Sequence, residues 1–216
     1  MNNKRPGKPR AELEGTVAKL TAMQPGDSTR DVYEAWAPAY ESELLDGYGY
    51  QAHIIAANAL ANQLVDRSAH IADLGCGTGL VAEALVHHGF EHIDGFDASH
   101  NMLEEARVKG VYEQLVQVDL TDLAVVPVGV YDAAIAVGVF GAGHVGPQHL
   151  ACFFAPVKPG GLVTLYANGI PYVEDNYPAY LAKLEADGVC TQVVAHESNY
   201  MDKIERPGWL VLATRC

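Results

Sequence analysis

The stretch Asp73-Leu74-Gly75-Cys76-Gly77-Thr78-Gly79 sets three glycines at alternate positions between an apolar run, 70–74, and an amphipathic segment, 80–88. No other feature restricts the fold as strongly. A strand-to-helix turn this tight needs residues without a Cβ, because the backbone takes positive φ and must approach a ligand closely. Further apolar runs at 93–96, 114–118, 131–137 and 162–167 alternate with helical patterns, two of them at 101–109 and 148–156. Strands alternating with helices predict an α/β fold: a doubly wound, mostly parallel sheet covered on both faces. Two late runs, 191–197 and 208–214, follow a helix near 178–187 and have no helix between them. They complete seven strands and imply an antiparallel last strand.

The chain before the sheet divides in two. Residues 1–27, rich in Lys, Pro and Gly, read as a mobile arm with a weak helical turn near 11–22. Ser28-Thr29-Arg30-Asp31 resembles a capping box and opens a helix to about 39. A Gly/Tyr-rich break at 46–50 and a helix at 51–65 follow. The expected organisation is one domain over 28–216, with a helical cap at 28–66 and the sheet at 69–216.

Charge narrows the classes of partner. The chain has 14 Lys plus Arg against 27 Asp plus Glu. Lys4, Arg5, Lys8 and Arg10 sit in the arm, which leaves ten positives on an acidic body. Such a body repels a phosphate backbone and argues against nucleic acid as a partner. No run approaches the roughly 18 apolar residues of a membrane span, and no apolar segment follows the basic start as in a signal peptide. Cys76, Cys152, Cys190 and Cys216 are scattered, as reduced thiols of a cytoplasmic protein would be. No His or carboxylate spacing indicates a catalytic metal.

Three acids fall at three successive strand ends: Asp73, Asp97 and Asp119. Ligands of doubly wound sheets settle there, and an acid closing the second strand is placed for ribose hydroxyls. One competing reading exists. Gly77-Thr78-Gly79-Leu80-Val81-Ala82 also fits the dinucleotide fingerprint. Asp73, however, puts a carboxylate at the loop entrance, which disfavours a pyrophosphate and suits a nucleoside carrying an ammonium group.

With Lys158-Pro159-Gly160-Gly161 before the fifth strand, residues 69–167 resemble a class I S-adenosylmethionine-dependent methyltransferase. Tyr33, Trp36-Ala37-Pro38, Tyr40-Glu41, Tyr50 and Ala52 are similar to the opening of the methyltransferase-like family named for the Williams–Beuren chromosome region. The resemblance implies a Rossmann-like methyltransferase fold with S-adenosyl-L-methionine as cofactor and S-adenosyl-L-homocysteine as product. It also implies roles for individual residues. Gly75, Cys76 and Gly77 would lie under the methionine moiety, with Asp73 toward its ammonium. Asp97 would bind the ribose, Ala98 and Met102 would pack on adenine, and Asp119 and Leu120 would flank its amino edge. Val137 and Gly138 would border the sulfonium, and Tyr33 and Tyr40 would reach the carboxylate end. Cys76 reads as a small residue that fits, without a nucleophilic role.

The methyl acceptor is expected among Trp36, Tyr40, Tyr50, His144 and the segment 168–178. Trp36 also reads as an anchor of the N-terminal helix to the sheet, the favoured reading, and Met102 has core filler as its alternative role. His144 follows the fourth strand, where an imidazole can serve as general base or simply start a helix; both readings stand. The leading expectation is methyl transfer to the O or N of a small molecule, by a monomer or homodimer. Protein or RNA methylation, and non-methylating cofactor binding, are the alternatives.

Overall fold

The computed structural model describes residues 15–22, 29–122, 124–140, 145–204 and 206–216. Seven strands form one sheet: β1 (Ile71–Leu74), β2 (Ile93–Asp97), β3 (Gln114–Gln117), β4 (Tyr131–Val137), β5 (Val157–Asn168), β6 (Cys190–Met201) and β7 (Arg206–Arg215). Their order is β3-β2-β1-β4-β5-β7-β6. Pairings among the first five are parallel, whereas β7 runs antiparallel to both β5 and β6. The expected doubly wound sheet with an antiparallel last strand is therefore the observed one. The chain reverses at β1, whose neighbours are β2 and β4, and a crevice opens there beyond the strand ends.

Strand alternation builds two cores. Ile71, Ala133, Ile135 and Val137 point to one face, where they meet Leu60, Leu85 and Trp36. Ala72, Leu74, Ala134 and Ala136 point to the other and meet Phe153, Phe154 and Leu181. Helices α3 (Ala52–Gln63) and α4 (Leu80–His87) cover the first face. Helices α6 (Leu150–Phe154) and α8 (Tyr177–Ala186) cover the second. Helix α5 (His100–Lys109) crosses between β2 and β3 and is capped by Ser99, whose Oγ accepts from Met102 N at 3.1 Å. Each fully buried Leu or Phe contributes about 1.5–3 kcal/mol by leaving water.

Several boundaries differ from the sequence reading. Residues 15–22, assigned above to the arm, form helix α1 (Gly15–Ala22), whose Val17 is buried in the first core. Thr16 N donates to Glu43 at 3.2 Å. Helix α2 (Thr29–Trp36) passes into a 3-10 turn, Ala37–Ala39, and the first part of the break expected at 46–50 belongs to a π-helical turn, Ser42–Tyr48. The helix expected at 148–156 is a 3-10 turn at Pro147–His149 followed by α6. The segment 168–178 holds a further helix, α7 (Gly169–Glu174). β5 starts earlier than expected, because Val157 already pairs with Tyr131 across an irregularity.

The cap is tied to the sheet at both ends. Lys109 Nζ binds both Glu41 and Glu83 at 2.5 Å, joining the 3-10 turn region to α4 and α5. Gln51 N donates to Tyr200 O at 3.2 Å and Asp202 N to Gly49 O at 3.0 Å, so the β6–β7 turn docks on the cap. On the opposite face, the Tyr177 hydroxyl donates to the Val145 carbonyl at 3.0 Å in a fully buried contact. Tyr177→Phe keeps the ring but strands that carbonyl; urea denaturation should report a loss of about 1–2 kcal/mol.

Candidate functional site

The β1–α4 loop takes its shape from the backbone of β2. Gly75 N and Cys76 N both donate to Phe96 O, at 2.7 and 3.0 Å. Gly75, Gly77 and Gly79 have φ of 88°, 54° and 96°. At Gly75 a Cβ would stand 1.9 Å from Val139 Cγ1, so no other residue fits without displacing the wall after β4. Above Gly77 the space is open, with nothing within 4 Å of the Cβ position. Asp97, at the tip of β2, fastens the loop: its Oδ2 accepts from Gly77 N at 2.9 Å and its Oδ1 from Ser99 N at 2.9 Å.

A cleft of about 510 Å³ opens over this loop. Ten of the residues expected at a cofactor line it: Tyr33, Tyr40, Gly75, Gly77, Asp97, Ala98, Met102, Asp119, Leu120 and Val137. Asp119 holds its own turn, accepting from Thr121 N at 2.8 Å and Thr121 Oγ1 at 2.6 Å; these bonds keep its carboxyl below the ordinary carboxylate range. Gln117 Nε2 donates to Ala98 O at 2.9 Å and bridges the ends of β3 and β2. Met102 is 1% exposed yet reaches the lining, so it serves core and cleft together.

Two expected residues lie beneath the cleft. Asp73 is fully buried on β1. Its Oδ2 accepts from the Tyr112 hydroxyl at 2.7 Å, and its Oδ1 has no partner among the described residues. Burial pushes this carboxyl up to about 7; the Tyr112 bond pulls it down and the charge of Asp97 pushes it up. Asp73 is enclosed because β1 is central and its side chains are covered on both faces, so its carboxyl does not line the cleft itself. Cys76 is also buried, its Sγ 3.0 Å from where a Cβ on Gly95 would stand. Burial raises its thiol well above the ordinary value, which suits packing and not nucleophilic attack.

The acceptor-side residues divide differently. Trp36 and Tyr50, expected in a substrate pocket, are both 4% exposed and do not line the cleft. Trp36 anchors α2, packing edge-on to Tyr40 at 4.7 Å. Tyr50 stacks on His53 and meets Tyr200 edge-on, each at 5.3 Å. A Cβ on Gly138, which does line the cleft, would stand 3.2 Å from the Tyr50 hydroxyl and 3.6 Å from that of Tyr200. The two phenols thus back this wall. The segment 168–178 contributes nothing to the lining: Tyr172 stacks on Trp209 at 4.7 Å and on Tyr177 at 5.6 Å, away from the cleft. His144 lies outside the described residues.

Sequence reasoning missed Tyr112, Tyr200, Ser99 and Gln117. Ser99 alone left a local signal, as a helix cap; the others act through partners far along the chain.

The arrangement also separates the two ligands considered above. Gly75 N, Cys76 N and Gly77 N are spent on Phe96 and Asp97, so the loop offers few free amides to a pyrophosphate. Two carboxylates on the lining and a buried third acid favour hydroxyl, amine and ammonium groups. Among the described residues no three His, Cys, Asp or Glu side chains gather as a metal site. Among them, too, no helix is long and apolar enough to cross a membrane.

Comparisons with known proteins point the same way. Residues 71–161 match the family model described as a methyltransferase domain. The chain is 35% identical over 170 residues to human methyltransferase-like protein 27, covering 76% of this chain and 68% of the relative. A solved Haloferax volcanii structure, a putative methyltransferase in complex with the Trm112 activator, is similar with a TM-score of 0.65 at 18% identity. That similarity covers 87% of this chain and 99% of the other. Magnesium protoporphyrin IX methyltransferase from Synechocystis, solved with bound S-adenosylmethionine, is similar with a TM-score of 0.61 at 18% identity, over 90% and 100% of the two chains.

Proposed function

Because the chain belongs to the class I S-adenosylmethionine-dependent methyltransferases, we propose that it transfers a methyl group from S-adenosylmethionine to an O or N atom of a small molecule. Asp97 carries the cofactor half of this reading. Both its oxygens are oriented by loop amides, and each keeps a lone pair for a ribose hydroxyl. Asp119 would accept from the adenine amino group, between Leu120 and Met102. The open space over Gly77 and the Oδ1 of Asp73, which has no partner among the described residues, suit a methionine moiety with its ammonium. Tyr33 and Tyr40 would meet the carboxylate end. When bound, the cofactor supplies a methyl group already activated by its sulfonium.

The chain's own task is then positioning. Val137 and Gly138, backed by Tyr50 and Tyr200, would form the wall against which the acceptor aligns. Holding two reactants in line can lower a barrier by several kcal/mol, up to roughly 7–11 in ideal cases. A cleft of about 510 Å³ falls within the roughly 300–1,000 Å³ typical of small-molecule sites, which suits a nucleoside cofactor of this size. The N-terminal residues around Tyr33, Trp36 and Tyr40, together with the human relative, support placement in the Williams–Beuren methyltransferase-like family. The body's acid excess supports an acceptor other than nucleic acid, and the scattered cysteines a cytoplasmic setting.

Labelled S-adenosylmethionine incubated with the protein and a cell extract should yield label in the small-molecule fraction. Label confined to protein or RNA would instead identify a macromolecular acceptor. Tight binding without transfer would identify a non-methylating protein. S-adenosylhomocysteine, and not NAD, should raise the Tm; the reverse result would return the dinucleotide reading.

A further inference from the structure

Helix α2 forms one wall of the cleft, through Thr29, Arg30 and Tyr33. The adjoining wall is the β2–α5 turn, through Ala98, Ser99 and Met102. Glu34 and Asn101 join the two. Glu34 Oε1 accepts from His100 N at 2.7 Å and its Oε2 from Asn101 N at 2.9 Å. In return, Asn101 Nδ2 donates to the Glu34 carbonyl at 2.8 Å. The first amides of a helix have no partner within it. Here they receive a carboxylate from another helix, 66 and 67 residues earlier in the chain, while Ser99 serves the next amide. Charge at that end is also favoured by the helix dipole.

We propose that Glu34 is a positioning residue for the cofactor: by capping α5 it holds the Tyr33 face of α2 over the cleft. The proposal rests on the S-adenosylmethionine reading of that cleft. The two ends of α2 are held by different means. Trp36, at its C-terminal end, is buried in the core, whereas Thr29, Tyr33 and Glu34 are only half-buried and Arg30 is exposed. The cap therefore ties α2 to α5 one residue from Tyr33, beside the packing of Tyr33 on Trp36 and Tyr40. A ligand lying between the walls touches both, so ligand and cap stabilise the same geometry and are linked. Without the cap, α2 would spend less time in the closed position, and apparent affinity would fall by that fraction.

The test uses S-adenosylhomocysteine binding to the full chain, so it needs no acceptor. Trp36 fluorescence in a Trp209→Phe background reports on α2, and stopped flow gives both rates. Glu34→Ala should weaken binding about tenfold, the size expected from lost charge-assisted hydrogen bonds, mainly through faster dissociation. Glu34→Gln, which keeps one acceptor oxygen, should fall between. Binding stoichiometry from calorimetry separates this from misfolding, which would lower the bound fraction without changing the rates. Alanine-variant affinity within twofold of wild type, or a loss visible only in stoichiometry, would overturn the proposal. Failure of the wild-type chain to bind S-adenosylhomocysteine would overturn the cofactor reading, and this inference with it.

Discussion

Replacing Asp97 with alanine should weaken S-adenosylhomocysteine binding by roughly 10²–10⁴-fold while leaving the protein folded. A hydrogen bond to a charged group is worth about 1.5–3 kcal/mol, and a ribose offers two hydroxyls to this carboxylate. Each 1.4 kcal/mol is tenfold in affinity. Asp97 is suited to that role because Gly77 N and Ser99 N, each 2.9 Å away, already fix its two oxygens. The ligand then pays little for ordering it. Alanine removes the acceptors and releases the Gly77 amide, so the loop loses its fastening as well. Asparagine should be nearly as damaging, since its amide nitrogen would face one of the two N–H groups that the carboxylate now accepts. Calorimetry reads the affinity, and far-ultraviolet circular dichroism checks the fold. An alanine variant that binds as the wild type does would remove Asp97 from the ribose site.

What sequence reveals about this chain follows how local each cause is. The β1–α4 loop is legible because its reasons are local: glycines at 75, 77 and 79 take positive φ, and the apolar periodicity changes across them. The mostly parallel sheet follows from the same alternation, and the antiparallel last strand from a missing helix; that β7 inserts between β5 and β6 is seen only in the structure. Helix α7 is not legible, since Gly169 and Pro171 look like breakers. A proline in the first turn of a helix loses no hydrogen bond, and Asn168 Oδ1 caps Ile170 N at 3.3 Å. The early start of β5 is likewise hidden behind Pro159 and Gly160. These are failures of local signals to outweigh tertiary pairing.

The site divides along the same line. Asp97 and Asp119 can be placed because strand ends can be placed. Asp73 ends on the right strand but below the cleft, because its central position in the sheet encloses it. Trp36 and Tyr50 follow a family pattern, yet their rings are spent on packing. Tyr112, Glu34 and Tyr200 are invisible beforehand: their partners lie 39, 66 and about 150 residues away. No spacing rule announces contacts of that range.

The buried acid on β1 carries the other large expected effect. Asp73 has no exposed surface, a bond from Tyr112 at one oxygen and, among the described residues, no partner at the other. Burial raises its carboxyl from 3.8 to about 7 in the folded protein. The folded chain therefore holds a proton that the unfolded chain has lost, and stability must fall as pH rises from about 4 to about 7. Above that window the loss is complete, at roughly 4 kcal/mol from this group. Asp73→Asn cannot ionise, and its amide oxygen still accepts from Tyr112, although its amide nitrogen gains no partner. The variant should show a flatter dependence of Tm on pH and be the more stable protein at pH 8, by about 1–3 kcal/mol once an unpaired amide is allowed for. Binding should invert that advantage. A cationic ammonium near Asp73 favours the carboxylate, so S-adenosylhomocysteine should release a fraction of a proton near pH 6.5 from the wild type. Calorimetry in buffers of different ionisation enthalpy measures that release. Asp73→Asn should lose the buffer dependence and bind more weakly than wild type, at least tenfold if the charge–charge contact is partly buried. Parallel Tm curves, together with equal buffer dependence, would mean that Asp73 is ionised throughout and only supports the loop from below.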